Sequence, residues 1–355
     1  MGKSKMQIRR LNTLRGFAAL IVVVSHFSNA SGLWGKALGW GAGQLGVMLF
    51  FLLSGFLMTY LYWEKTPTSS NLLYFAVARV ARVIPLYLLV VFLSFITPYM
   101  YKIKNTRVLI SHLLFLHGNS VLWTIPPEIQ FYILFGLSWS LTWHRRTKVP
   151  HVLAFVFISS FLLNFRGETK VFYGFPVTPS IVGAIPYFML GCIAGGLYKY
   201  RQYLSAYQSN WYAATLFLIP VLYPNIFAAL FGFRPALWND LDILAMVGLV
   251  FFCIVFLVPD GNSLLENKAG DFFGKISYSL YLLHLPVLDV LKRMRLIEFG
   301  VLSLLVFVAL ASFTAWLSFY LFENPSRKAI RGMIAQKGVA RDVQHTVQRV
   351  QGPPK

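Results

Sequence analysis

The chain has 355 residues, 57% hydrophobic and 17% aromatic, with 12% charged and a formal net charge of +20. Soluble domains average about 45–50% apolar and roughly 25% charged residues, so this composition, with a mean hydropathy of +0.62, excludes a water-soluble core, disorder and collagen-like structure. Two cysteines, Cys192 and Cys253, both inside apolar runs, exclude a disulfide scaffold. The class left is an all-α polytopic integral membrane protein. Its 32 Lys and Arg against 12 Asp and Glu lie mainly between apolar runs. That placement points to membrane topology and anionic lipid headgroups rather than to nucleic acid.

A helix needs about 20 mostly apolar residues to cross the hydrocarbon. Ten runs qualify as spans, at about 11–30, 44–63, 83–100, 121–141, 150–164, 180–198, 210–224, 241–258, 276–292 and 299–321. The runs are continuous rather than alternating, which predicts helices and not barrel strands. Segment 108–118 is apolar but half a span long, and reads as a re-entrant or interfacial piece leading into the fourth span. With the N-terminus inside, the cytosolic segments carry about twice the basic residues of the outer ones. Both termini are therefore expected in the cytosol, with residues 1–325 as one transmembrane domain and 326–355 as a basic tail. No signal peptide is expected, because Arg15 interrupts the first run and no small-residue cleavage site follows it.

Ionisable groups within spans are costly and mark function by default. Arg15 and His26 lie eleven residues apart in the first span, so they share a helix face and stand about 16 Å apart along it. Arg15 near an interface could also snorkel, and His26 could be a hydrogen-bonded packing residue. Arg79 and Arg82, three residues apart before the third span, make a fork for phosphate or an ordinary basic flank. Glu128 follows Pro126 and Pro127, which fit a helix start or a kink. Counted from Trp123 it reaches about the depth of His26, so a His–carboxylate contact is permitted. His284 falls near the middle of the ninth span, beside Pro286, and is either structural or catalytic. His112 and His117 are five residues apart, on different helix faces, and no Cys or carboxylate cluster adjoins them, so no metal is expected. The small residues in Gly46–Leu57 read as close helix packing.

Taken together, these motifs resemble the membrane-bound acyltransferase-3 family. The resemblance rests on Arg15 with His26; Phe50-Phe51-Leu-Leu-Ser54-Gly55-Phe56-Leu57; Arg79 and Arg82 with Pro85-Leu-Tyr87; Trp123 through Glu128 to Phe131-Tyr132; Ile276-Ser-Tyr-Ser-Leu-Tyr-Leu-Leu-His284; and Glu323-Asn-Pro325. It spans roughly residues 8–328. Pro126-Pro127 departs from the family's usual small and aliphatic pair. The resemblance implies transfer of an acyl group, commonly acetyl, from acyl-CoA to a sugar hydroxyl of a surface or secreted glycan such as an exopolysaccharide or a lipopolysaccharide O-antigen, in a bacterial inner membrane. The acceptor would be a glycan or a lipid-linked oligosaccharide. Some relatives carry a further extracytoplasmic domain, so this chain is expected to complete transfer itself, to act as a homodimer, or to pass the acyl group to a separate extracytoplasmic protein.

On this reading Arg79 and Arg82 hold the phosphates of acetyl-CoA, and Arg15 binds the donor or polarises its carbonyl. His26 is general base or acyl carrier. Glu128 orients the imidazole as the third member of a triad does, and His284 is a further catalytic candidate. The competing reading is a proton-coupled transporter or flippase of a glycan or lipid-linked precursor, since the same buried groups can line a transport path.

Overall fold

A computed structural model describes residues 8–97, 100–142, 170–172, 175–177 and 181–333. The expected fifth span, 150–164, and the tail beyond residue 333 lie outside the described residues. The architecture is helical: α1 (Arg9–Ser31), α2 (Ala42–Tyr62), α3 (Ser69–Ile96), α4 (Thr106–Leu113), α5 (Ile125–Thr142), α6 (Ile181–Leu197), α7 (Pro224–Phe231), α8 (Leu241–Phe252), α9 (Lys268–Arg293) and α10 (Val301–Ser318). Short 3₁₀ segments join several of them, and π-helical turns continue α8 over Cys253–Leu257 and α10 over Phe319–Glu323. A minimal antiparallel pair, β1 (Lys170–Phe172) and β2 (Phe175–Val177), sets Lys170 opposite Val177.

Among the described residues, Arg9–Ser31, Gly43–Tyr62, Ser69–Ile96 and Val301–Met333 are long and apolar enough to cross a bilayer. A fifth candidate is the pair Asn210–Leu222 and Pro224–Phe231, bent by 88° where one span was expected. Leu302, Leu305, Phe313 and Leu321 of the last helix all point outward. So much contiguous apolar surface is covered by lipid rather than water.

The helices pack by close backbone approach, the device that works where the hydrophobic effect cannot draw helices together. α1 lies between α2 and α9, α2 runs along α6, and α9 runs along α10. A Cβ on Gly191 of α6 would strike the Leu52 carbonyl of α2, and one on Gly55 of α2 would strike the Phe188 carbonyl of α6. On the other side of α1, a Cβ on Gly274 of α9 would run into the Asn12 carbonyl. The expected packing role of the small residues in 46–57 is thus what the structure shows.

Two segments differ from the sequence expectation. α3 starts at Ser69 and runs 28 residues, so Arg79 and Arg82 lie within the helix and not on a flank ahead of residue 83. Arg79 is only 8% exposed. A hydropathy window treats two arginines as an interface, whereas the helix turns Arg79 against the rings of Tyr62 and Tyr132 and Arg82 toward a cavity. α5 opens at Ile125 with Pro126 and Pro127 in its first turn, where their missing N–H groups are not needed.

Candidate active site

Two cavities lie along one face of α1. The first is narrow, with about 50 Å³ of water-accessible volume, and is lined by Arg15 of α1, Ser54 of α2, Arg82 of α3, Glu128 of α5 and Tyr278 of α9. The second, more open, has about 340 Å³ and is lined by His26, Asn29, Gln44, Ser120 and Trp123. Val47 and Tyr281 border both. Arg15 and His26 therefore both face the interior, as the eleven-residue spacing implies, but each has its own chamber with a thin shared partition.

In the first cavity, Glu128 Oε1 accepts a hydrogen bond from Ser54 Oγ at 3.1 Å and a second from the Tyr132 hydroxyl. Neither Arg15 nor Arg82 makes a salt bridge among the described residues. Two guanidiniums and one carboxylate leave the chamber with an excess of positive charge aimed at empty space, an arrangement that suits a multiply charged anion. Arg79 does not join them. Arg79 lies only about 60° round the helix from Arg82, but it lines, together with Tyr132, an apolar groove between α3 and α5 rather than the first cavity. There its guanidinium lies 5.9 Å from the Tyr62 ring and 5.8 Å from the Tyr132 ring, a cation–π sandwich that backs the tyrosine holding Glu128. The two-arginine fork expected of α3 is in fact divided between a cavity and its wall.

The second cavity is built round a histidine pair. His26 Nδ1 lies 3.0 Å from the Val22 carbonyl and 3.0 Å from His284 Nε2. His284 Nδ1 lies 2.8 Å from the Tyr281 carbonyl and 3.2 Å from that of Leu280. Carbonyl oxygens only accept, so both Nδ1 atoms carry their hydrogens. His284 Nε2 is then a bare acceptor for the His26 Nδ1–H, and His26 Nε2 is a bare lone pair at the cavity. The His–carboxylate contact that equal depth permitted is not made: Glu128 bonds to Ser54 and Tyr132, and its place behind His26 is taken by His284. Depth along α5 fixes height but not azimuth, and Glu128 turns into the other chamber. His284 is fully buried and touches the cavity only through His26.

α9 is the hub of this arrangement. The Tyr278 hydroxyl donates to the Val83 carbonyl of α3 at 2.7 Å, Ser279 Oγ to Glu323 of the last helix at 2.7 Å, and the Tyr281 hydroxyl to the Val121 carbonyl at 2.9 Å. One turn on, His284 meets α1. Successive polar side chains in a single motif thus fasten four different neighbours. Sequence reasoning gave no role to Ser54, Tyr132 or Glu323; for Tyr132 the available signal was a hydroxyl one helical turn from Glu128, whereas Ser54 and Glu323 meet their partners across helices. His112 has a structural place: its Nδ1 meets the Tyr87 hydroxyl at 3.1 Å and its Nε2 accepts the Asn119 N–H at 3.3 Å. Those bonds shape the loop that brings Ser120 to the second cavity.

Comparison with known proteins converges on one class. The family model described as an acyltransferase domain matches residues 8–323. ORF330 of Acidianus two-tailed virus, named as an acetyltransferase, is 28% identical over 323 residues, covering 85% of this chain and 87% of its own length. Peptidoglycan O-acetyltransferase OatA of Listeria monocytogenes is 24% identical over 368 residues, covering 92% of this chain; the chain spans 56% of OatA's length. No solved structure matches. The match across nearly the whole sequence identifies this chain as a member of the acyltransferase-3 family, and as an acyltransferase.

Proposed function

We propose that the chain is an integral-membrane O-acyltransferase that moves an acyl group, acetyl in the simplest case, from acyl-CoA to a sugar hydroxyl of a cell-surface or secreted polysaccharide. The observation that carries this reading is the His26 Nε2 lone pair, held toward a polar cavity by the Nδ1–H bonds to Val22 and His284, next to a chamber with two unpaired guanidiniums. The O-acetyltransferase name of the Listeria relative points the same way. Ten spans with both termini in the cytosol, in a bacterial inner membrane, complete the proposed setting.

Arg15 and Arg82 bind the phosphates of the donor, with Glu128 limiting their mutual repulsion. The thioester end reaches His26 past Val47 and Tyr281. His26 Nε2 removes the proton of the acceptor hydroxyl as that oxygen bonds to the thioester carbonyl carbon. The tetrahedral adduct then breaks its C–S bond, and the departing CoA sulfur takes the proton back from the imidazolium. His284 is a positioning residue, fixing the ring through its own Nε2 as a triad's third member does.

His26→Ala is expected to lower acetyl transfer by about 10²–10⁴-fold while the protein still inserts. Mass spectrometry of surface glycans, with and without the gene and with the variant, makes the test. Wild-type acetylation by His26→Ala would refute the assignment.

A further inference from the structure

The donor chamber is too small for the donor. Its water-accessible volume of about 50 Å³ is far below the roughly 300–1,000 Å³ of a pocket that encloses a small-molecule ligand. Coenzyme A carries a diphosphate beside its pantetheine arm and a separate monophosphate on the ribose, at its far end. The arm can enter and Arg15 and Arg82 can meet the diphosphate, but the nucleotide has to rest outside. The last helix leads there. It runs over Val301–Met333, and Arg327 stands about 39 Å along it from Val301, beyond the roughly 30 Å of hydrocarbon. One turn before Arg327, on the same face, is Glu323, 4% exposed. Glu323 Oε2 accepts a hydrogen bond from Ser279 Oγ at 2.7 Å, and Ser279 is next in sequence to the Tyr278 that lines the chamber. Arg82, Arg327 and Arg15 all act on that carboxylate, and among the described residues none of them is within salt-bridge reach of it. Arg327 thus lies on the chamber side of its helix. Its guanidinium is 5.9 Å from the Phe319 ring, about two turns back along the helix, and its Nη2 donates to Asn324 Oδ1 at 3.1 Å. The side chain therefore runs back toward the chamber instead of out to water. Among the described residues four of its five N–H donors are left over. Arg82 and Arg331 add like charge beside it, with only Glu323 to offset them, so the cluster repels itself until an anion joins it.

We propose that Arg327 is a second phosphate subsite of the donor site and holds the ribose 3′-phosphate of acyl-CoA. Its free N–H pairs form the fork that suits phosphate oxygens, and Arg331 seconds it from one turn further on. The inference rests on the reading of acyl-CoA as donor. It divides that donor between two sets of cations, with the diphosphate at Arg15 and Arg82 and the ribose monophosphate at Arg327, so that the thioester arm alone enters the narrow chamber. Lys328 is the natural contrast: it carries the same charge, is exposed, and lies about 100° round the helix. An anionic lipid headgroup offers the same phosphate chemistry as the nucleotide, and the test separates the two.

The test uses the full-length chain in detergent, with coenzyme A and 3′-dephospho-coenzyme A as probes. Dissociation constants are read by calorimetry, so neither an acceptor nor turnover is needed. Wild type is expected to bind coenzyme A about tenfold tighter than the dephospho form, a difference of about 1.4 kcal/mol. In R327Q that ratio should fall to within about twofold, while affinity for the dephospho form stays at the wild-type value, which also shows that the variant is folded. R327K keeps the charge without the planar fork and should fall between the two. K328Q should keep the full ratio. A ratio near one in wild type, a full ratio kept by R327Q, or an equal loss toward both nucleotides overturns the proposal. So does equal behaviour of R327Q and K328Q, which would reduce the effect to general basic charge. Thermal unfolding with added phosphatidylglycerol covers the other source of phosphate: stabilisation by the lipid lost in R327Q, with the nucleotide ratio intact, gives Arg327 to the membrane and overturns the subsite. Binding of both nucleotides without discrimination removes the subsite and leaves the acyl-CoA reading standing. If wild type binds neither, that reading fails and takes the subsite with it.

Discussion

An imidazole whose Nδ1–H points at a backbone carbonyl has one nitrogen left for chemistry, and in this protein both histidines of the pair are held that way. His26 keeps its tautomer through Val22 even without its neighbour, so His284 should contribute orientation rather than protonation. His284→Ala is therefore expected to lower kcat by about tenfold, the worth of one hydrogen bond, far less than His26→Ala. His284→Gln, which restores an acceptor oxygen, should recover much of that loss; a His284→Gln enzyme no better than His284→Ala would show that the bond to His26 is unimportant. The spacing of Arg15 and His26 made their common face legible in sequence, because eleven residues nearly complete three turns. The partner of His26 was not legible. It comes from α9, 258 residues away, and nothing in a single chain's pattern states which helices meet.

At the scale of elements, helix contact in this fold depends on missing side chains more than on apolar ones. Gly191 and Gly195 of α6 face Leu52 and Phe56 of α2 so closely that any Cβ would collide with backbone, which has no rotamer by which to retreat. Gly191→Ala should cost about 1–3 kcal/mol through overpacking and lower the midpoint of thermal unfolding in detergent. Gly183 lies on the same helix with nothing within 4 Å of a Cβ. Its replacement by Ala should be neutral or stabilising by about 0.4–1 kcal/mol through the unfolded chain. Equal effects of the two substitutions would remove the packing argument. The small residues of 46–57 were readable as packing residues, those of α6 were not, and α1, α2 and α6 appear within a few residues of their expected limits. The beginning of α3 was not readable, since a buried guanidinium sandwiched by tyrosines is invisible to hydropathy. The bend between Leu222 and Pro224 was missed for the same kind of reason: an apolar run tells how much surface is buried, not whether the run is straight.

For the whole molecule, the decisive closure joins the start of the chain to its later part. Arg10, at the foot of α1, is fully buried. Its guanidinium pairs with Glu266 at 2.8 Å and Asp260 at 2.6 Å and donates to the carbonyls of Ile254, Val258 and Pro259. Those carbonyls end the π-helical turn after α8, so one side chain caps that helix and ties it to α1, just ahead of α9. Arg9 next to it makes a comparable pair with Asp271, at 2.7 Å, but is 45% exposed. Distance alone would rank the two alike; burial separates them. Losing Arg9 should cost about 0–1 kcal/mol because water screens an exposed pair. Arg10→Met strands Glu266 and several carbonyls in a dry site. Removing one partner of a buried pair typically costs about 3–5 kcal/mol, and Asp260, 64% exposed, moves the expectation to the low end of that range. Arg10 also lies five residues, about 7.5 Å, from Arg15, so loosening the foot of α1 should displace the donor-binding guanidinium. Arg10→Met is accordingly expected to lower both the unfolding midpoint and the apparent affinity for acetyl-CoA, while Arg9→Met changes neither appreciably. If thermal unfolding and donor titration gave the two variants the same profile, α1 would not be held at its foot, and the alignment of Arg15 with the first cavity would need another cause.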